Sequence, residues 1–177
     1  MRKNLLSILL LIAFLSACST GNVEEGGTSV EESLPDMVMR NAKMRLSQEG
    51  EEPIEFSVSS LSYYPEENVA RLQGLSFTQC DSEGNVRLEG SADKGMIETE
   101  GNVLTLSGNV LLHQIGNGMR ITTSDELEFK SESEEVSAQG KVEVESKDGR
   151  FAGMGFYGNL KSEEYSFRKL ESGVFEI

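Results

Sequence analysis

Leu104-Thr105-Leu106-Ser107-Gly108-Asn109-Val110-Leu111-Leu112-His113 alternates apolar and polar side chains on both sides of a Ser-Gly-Asn step. Leu104, Leu106, Val110 and Leu112 fall on one face, and Thr105, Ser107, Asn109 and His113 on the other. A period of two with one wet face is what a half-buried antiparallel strand requires. The rule repeats in Ile54-Phe56-Val58, Val86-Leu88, Leu127-Phe129, Val142-Val144 and Phe175-Ile177, whose apolar residues lie two apart with charged or hydroxyl residues between. Gly, Asn, Asp and Ser bound each run, and no segment after residue 50 holds a 3.6-residue period. The expected fold is all-β.

The turns recur too. Gly74, Gly108, Gly140 and Gly173 are spaced by about 33 residues. Roughly 17 residues before them comes a second element, in Val58-Ser59-Ser60-Leu61-Ser62-Tyr63, Ala92-Asp93-Lys94-Gly95 and Thr123-Ser124-Asp125-Glu126-Leu127-Glu128-Phe129. Each unit reads as two strands and two turns, and about four units stack into an elongated, layered body with one continuous apolar strip inside. The strip residues are expected to be Phe56, Val58, Leu104, Leu106, Leu127, Phe129, Val142 and Val144, although for each taken singly ordinary closed-core packing is the better reading.

Ahead of this body, Arg2 and Lys3, an apolar run from Leu5 to Phe14 and the tetrad Leu15-Ser16-Ala17-Cys18 have the order of an export signal. A membrane-spanning helix needs roughly 20 apolar residues, more than this run supplies. The expected organisation is a cleaved signal at 1–17, a modified Cys18 leading a Gly, Ser, Thr and Glu-rich tether at 18–33, and one domain at 34–177. Leu34-Pro35-Asp36-Met37-Val38-Met39 could open a short helix or an edge strand, the pattern does not decide between them, and residues 34–53 are read as irregular. With 16 Lys and Arg against 30 Asp and Glu the net charge is −14, which loss of Arg2 and Lys3 takes to −16. Such a surface repels phosphate backbones, so nucleic acid is excluded as a partner. With Cys18 modified, Cys80 has no disulfide partner and reads as a small strand residue.

Sites for bond-making chemistry are absent from the pattern. The single histidine, His113, lies on the polar face of its strand; HExxH, GxSxG and CxxC do not occur. Thirty carboxylates make close pairs inevitable, so their abundance assigns no acid or base. Asp81-Ser82-Glu83-Gly84-Asn85 resembles part of a calcium loop in spacing but lies between two strands, and Gly116-Asn117-Gly118 lacks the Lys-Ser/Thr of a phosphate loop. Both read as hairpin turns. No cofactor, metal or enzymatic activity is expected.

Two resemblances add to this reading. Cys18 after Leu-Ser-Ala is similar to the bacterial lipobox, which implies a diacylglyceryl group on its sulfur and a lipid anchor in a membrane. The order and spacing of Phe56-Ser57-Val58-Ser59-Ser60-Leu61-Ser62-Tyr63-Tyr64, Leu88-Glu89-Gly90-Ser91-Ala92-Asp93-Lys94-Gly95, Leu104-Thr105-Leu106-Ser107-Gly108-Asn109-Val110, Ile121 to Phe129, and Phe151-Ala152-Gly153-Met154-Gly155-Phe156 resemble the periplasmic part of the LptC family over about residues 34 to 177. The resemblance implies an open β-jellyroll that holds lipid acyl chains, in a non-enzymatic component of lipopolysaccharide export. It implies lipopolysaccharide or a related glycolipid as cargo, an LptBFG-type ABC transporter as the energy source, and an LptA-like periplasmic bridge protein stacked edge to edge. Phe151 to Phe156 corresponds to the family's Gly-x-Gly element, where two close glycines suggest a bulge or a close backbone approach. The family's best-known members keep a transmembrane helix where this chain has a lipobox. Ser19 and Thr20 do not carry the Asp that retains some lipoproteins at the inner membrane, so the periplasmic chain is expected at the inner membrane from its family, with the outer membrane open.

The last strand, from about Tyr165 to Ile177, reads as an edge offered to a partner, with Tyr165, Phe167, Leu170, Val174, Phe175 and Ile177 as its apolar residues. Two other readings stay open on the residues alone: a structural or adhesive envelope lipoprotein with a closed core, and a carbohydrate-active enzyme using a carboxylate pair.

Overall fold

A computed structural model describes residues 34–47, 52–100 and 102–175. The expected signal, Cys18 and the tether to residue 33 lie outside the described residues, as does Ile177. Eleven strands form one antiparallel sheet: β1 (Met37–Leu46), β2 (Ile54–Tyr64), β3 (Val69–Cys80), β4 (Val86–Glu98), β5 (Val103–Ser107), β6 (Val110–Gln114), β7 (Met119–Thr123), β8 (Glu126–Lys130), β9 (Glu135–Ser146), β10 (Gly149–Asn159) and β11 (Glu164–Phe175). A single 3-10 turn, Pro65–Glu67, joins β2 to β3. Residues 37–46, which carried no decisive pattern in the sequence, form the edge strand β1. Its inner face is Met39, Ala42, Met44 and Leu46, with Asn41 breaking the strict alternation.

The connectivity is a plain meander. β5 and β6 run antiparallel to successive halves of β4, and β8 and β7 antiparallel to successive halves of β9. Each short pair is therefore one long strand broken in the middle. The long strands break at the same level. Register skips Asn41 and Ser59 between β1 and β2, Ser59 and Gly74 between β2 and β3, and Gly74 and Asp93 between β3 and β4. Gly108, Asp125, Gly140 and Gly155 continue this row to Arg168 on β11.

At Asn41, Gly74, Gly108 and Gly155 the row is left-handed, and Asn41, Gly74 and Gly108 face the polar side chains of Ser59 and Asp93. Gly74 and Gly108 have φ of 55° and 72°, a region that costs L side chains strain. A Cβ on Gly74 would lie 2.5 Å from Ser59 Oγ, and one on Gly108 2.8 Å from Asp93 Oδ2; one on Gly140 would collide with the Asp125 carboxylate. The polar side chains also serve the broken ladder. The amide of Asp93 donates to the Gly108 carbonyl at 2.8 Å, the Asn109 side-chain amide to Asp93 Oδ2 at 2.8 Å, and the Lys141 amide to Asp125 Oδ2 at 3.1 Å. Gly173, fourth in the sequence series, stands off the row. Bulges at Ala152/Gly153 and Met154/Phe156 displace the register, and Gly155 at φ 66° takes the place.

The row is a spine along which the sheet doubles over into a roll with two leaves. One leaf supplies Phe56, Val58, Phe77, Leu112, Ile121 and Val142 to the interior, the other Leu61, Leu72, Leu106, Leu127, Phe129 and Phe156, and all belong to one buried cluster. Most outward positions are polar, as the alternation requires, with Val38, Met154, Tyr157 and Val174 among the apolar or aromatic exceptions. Asp81-Ser82-Glu83-Gly84-Asn85 is a hairpin turn, stapled by Asp81 Oδ1, which accepts the amides of Glu83 (2.9 Å) and Asn85 (2.8 Å).

Replacing Gly108 with Val should cost about 1–3 kcal/mol of unfolding free energy through backbone strain. Gly116→Ala, in a turn with nothing within 4 Å of the added Cβ, should stay within about 0.5 kcal/mol; urea titration of both variants checks this. Hydrogen bonds from Asn85 hold the Asp81 carboxyl below its ordinary 3.8. The staple's contribution is then complete above that value and lost as pH falls through the lowered one. Melting curves should show Asp81→Ala destabilised at pH 7, with the gap from the parent protein closing in strong acid.

Candidate functional site

The closed interior comes to the surface at the β11 end. On the inner face of β10, Gly149, Gly153 and Gly158 stand opposite Phe175, Leu170 and Tyr165 of β11, while Phe151 stands opposite Gly173. Large side chains thus face bare backbone, which leaves room between the leaves. The rings form two groups: Phe151 meets Phe175 edge-on at 5.0 Å between centroids, and Phe156 meets Phe167 at 5.3 Å and Tyr165 at 6.3 Å. β11 pairs only with β10, so exposure rises along its inner face from half-buried Tyr165 and Phe167 to Leu170 at 55% and Phe175 at 73%.

A pocket of about 450 Å³ occupies this mouth. Met119, Val144, Phe151, Phe167 and Leu170 line its depth; Asn117, Lys147, Asp148, Glu163 and Ser166 stand around it. The shape suits an elongated apolar group whose polar end stays at the rim. The buried Tyr165 hydroxyl has no hydrogen-bond partner among the described residues. Burial and the Glu163 carboxylate push the pKa of this hydroxyl up, partly offset by the nearby Asn117 amide. An unsatisfied hydroxyl here favours any occupant that can accept its proton.

All eight residues expected to line the strip lie in one buried cluster; Leu106, Leu127, Phe129 and Val142 are fully enclosed. Of the eight, Val144 lines the mouth pocket. Tyr165, Phe167 and Leu170, expected as partner-facing residues, point into the pocket mouth, while Val174 pairs across from outward Arg150. Met119 and Asn117 were not legible as site residues; a hairpin turn brings them there. His113 Nδ1 lies 3.7 Å from Glu89 on the outer face of the neighbouring strand. Among the described residues no three of His, Cys, Asp and Glu converge as metal ligands, and no helix is long and apolar enough to cross a membrane.

The family described as lipopolysaccharide-assembly, LptC-related, matches the chain from residue 5 to residue 169. The chain belongs to the LptC family. LptC-family membership places it in lipopolysaccharide transport at the cell envelope, among the components of that transport system, in a family of transport proteins and not of enzymes. No curated protein matches it by sequence.

The enclosed and the mouth residues of this LptC-family roll should respond differently to truncation. Phe129→Ala, which empties a fully buried site, should cost about 3–5 kcal/mol. Phe167→Ala at the mouth should cost about 1 kcal/mol; denaturant midpoints of the two variants test the contrast.

Proposed function

We propose that the roll is a lipid relay. Acyl chains of lipopolysaccharide or a related glycolipid enter between the leaves, the chain takes them from an LptBFG-type transporter, and it passes them to an LptA-like bridge protein across an unpaired edge. Among the described residues β11 and β1 are the two unpaired edges, and β11 is the one at which the interior opens. A lipid on Cys18 would hold the roll at the membrane, the inner one in keeping with the family.

The observation that supports this reading is the continuity of the mouth pocket with the buried cluster through Val144 and Met119, which belong to both. Cover of this kind is what the transfer needs. Exposing acyl chain to water costs about 0.8 kcal/mol per methylene, so a twelve-carbon chain costs on the order of 10 kcal/mol. An apolar lining that extends to a free edge lets the chain move from one cover to the next without that exposure. The energy for extraction comes from the partner transporter.

A photo-reactive side chain at Phe167 should form glycolipid adducts in the living bacterium, and one at outward-facing Thr105 should form none. A folded, expressed protein giving adducts at neither position would instead be a structural envelope protein with a closed core.

A further inference from the structure

The enclosed core raises a question that the relay reading, on which this inference rests, leaves open: how a lipid with a large polar head reaches residues as deep as Leu106. The head must stay in water while the chains lie inside, so the roll has to part along a line. Every neighbouring pair of strands is joined by a β ladder, and the spine is continuous chain. The remaining line is the seam opposite the spine, where the outer ends of the two leaves meet and no ladder crosses.

What crosses the seam is side chains. Arg87 Nη2 donates to Glu134 Oε2 at 2.9 Å across the seam, while Glu52 on the leaf of Arg87 itself holds the guanidinium from behind, 3.4 Å from its Nε. The Gln114 amide donates to the Leu160 carbonyl at 2.8 Å, and the Asn117 amide to Glu163 Oε1 at 3.1 Å. Beyond Asn117 and Glu163 the seam gives way to the mouth pocket, which both residues border.

The turns of the second leaf indicate that these contacts are built and not incidental. Its four outer turns end on Asn68, Asn102, Glu134 and Glu163, all left-handed, with φ of 55°, 53°, 53° and 58°. Asn tolerates that conformation and Glu does so poorly. Both Glu that end such turns, Glu134 and Glu163, send their side chains across the seam. Glu134 is the more committed of the pair, with its side chain only 15% exposed against Arg87. The strain buys the contact, which is how a fold keeps a functional group in place.

We propose that Glu134 and Glu163 are latches on this seam, closed on Arg87 and Asn117, and that they set how readily acyl chains pass it. A closed latch keeps the core dry in the empty protein. Parting it opens the roll lengthwise without breaking a ladder.

The test uses the purified full chain with purified lipopolysaccharide as the probe. A diazirine side chain is placed either at Leu106 behind the latch or at Phe167 in the mouth. Glu134→Asn with Glu163→Asn suits the left-handed turns and removes both latches. It should leave the melting temperature nearly unchanged, leave Phe167 labelling unchanged, and speed Leu106 labelling roughly tenfold, the equivalent of one charge-assisted bond. Conversely, Arg87→Cys with Glu134→Cys in a Cys80→Ser background, bridged by a cleavable bismaleimide, should abolish Leu106 labelling and spare Phe167 until the bridge is cut. Asn117→Cys with Glu163→Cys is the second lock, should the first pair fail to fold. Equal Leu106 labelling in the parent, unlatched and locked proteins overturns the latch while leaving the relay intact. Absence of labelling at both positions in every form overturns the relay reading and the latch together.

Discussion

A nine-position sheet whose strands pair only with their neighbours in sequence would lie open, one face wet and the other a band of Phe, Leu, Ile and Val. The clash-free spine prevents that outcome. At one level of every long strand a residue either takes a left-handed backbone or gives up its ladder bonds, and Ser59, Asp93 and Asp125 fill the space that a side chain on Gly74, Gly108 or Gly140 would need. The bend costs ladder hydrogen bonds, which the same polar side chains partly replace. Once the sheet has doubled over, burial of both inner faces against each other follows from the alternation alone. The mouth, the free edges and the seam are all consequences of that single crease.

Strand identity was legible because alternation is a local property, and the positions of Phe56, Leu106 and Phe129 in the interior followed from it. The crease was half legible. Gly74, Gly108 and Gly140 stood out by their spacing, and the runs before them contained Ser59, Asp93 and Asp125, yet nothing in one dimension says that glycine and polar residue meet across strands. β1 escaped notice because Asn41 interrupts its pattern and Lys43 and Arg45 dilute its apolar residues. The mouth was legible only in part, through the closely spaced Gly153 and Gly155. Its other component, the pairing of Gly149 with Phe175 and of Gly173 with Phe151, depends on a register that two bulges shift.

The two edges differ in chemistry. β1 carries Arg40, Lys43 and Arg45 and no acid, in a chain of net charge −14, and its inner face is largely methionine. β11 balances Arg168 and Lys169 against Glu164 and Glu171, and its inner face is aromatic. Two like β1 edges repel each other, so pairing through that edge favours a different molecule over a second copy. Methionine on one side adapts to irregular apolar shapes, whereas rings on the other fix a more definite channel.

The meander has a further consequence, for length. Neighbouring strands lie about 4.8 Å apart, so nine strand positions advance the interior by roughly 40 Å. Because no strand is threaded between two others, one more hairpin with one more crease residue in each arm would extend the roll by about 10 Å without altering any existing pairing. Distance covered is thus a matter of how many identical steps are laid end to end, and the chain ends are the places where steps can be added or lost.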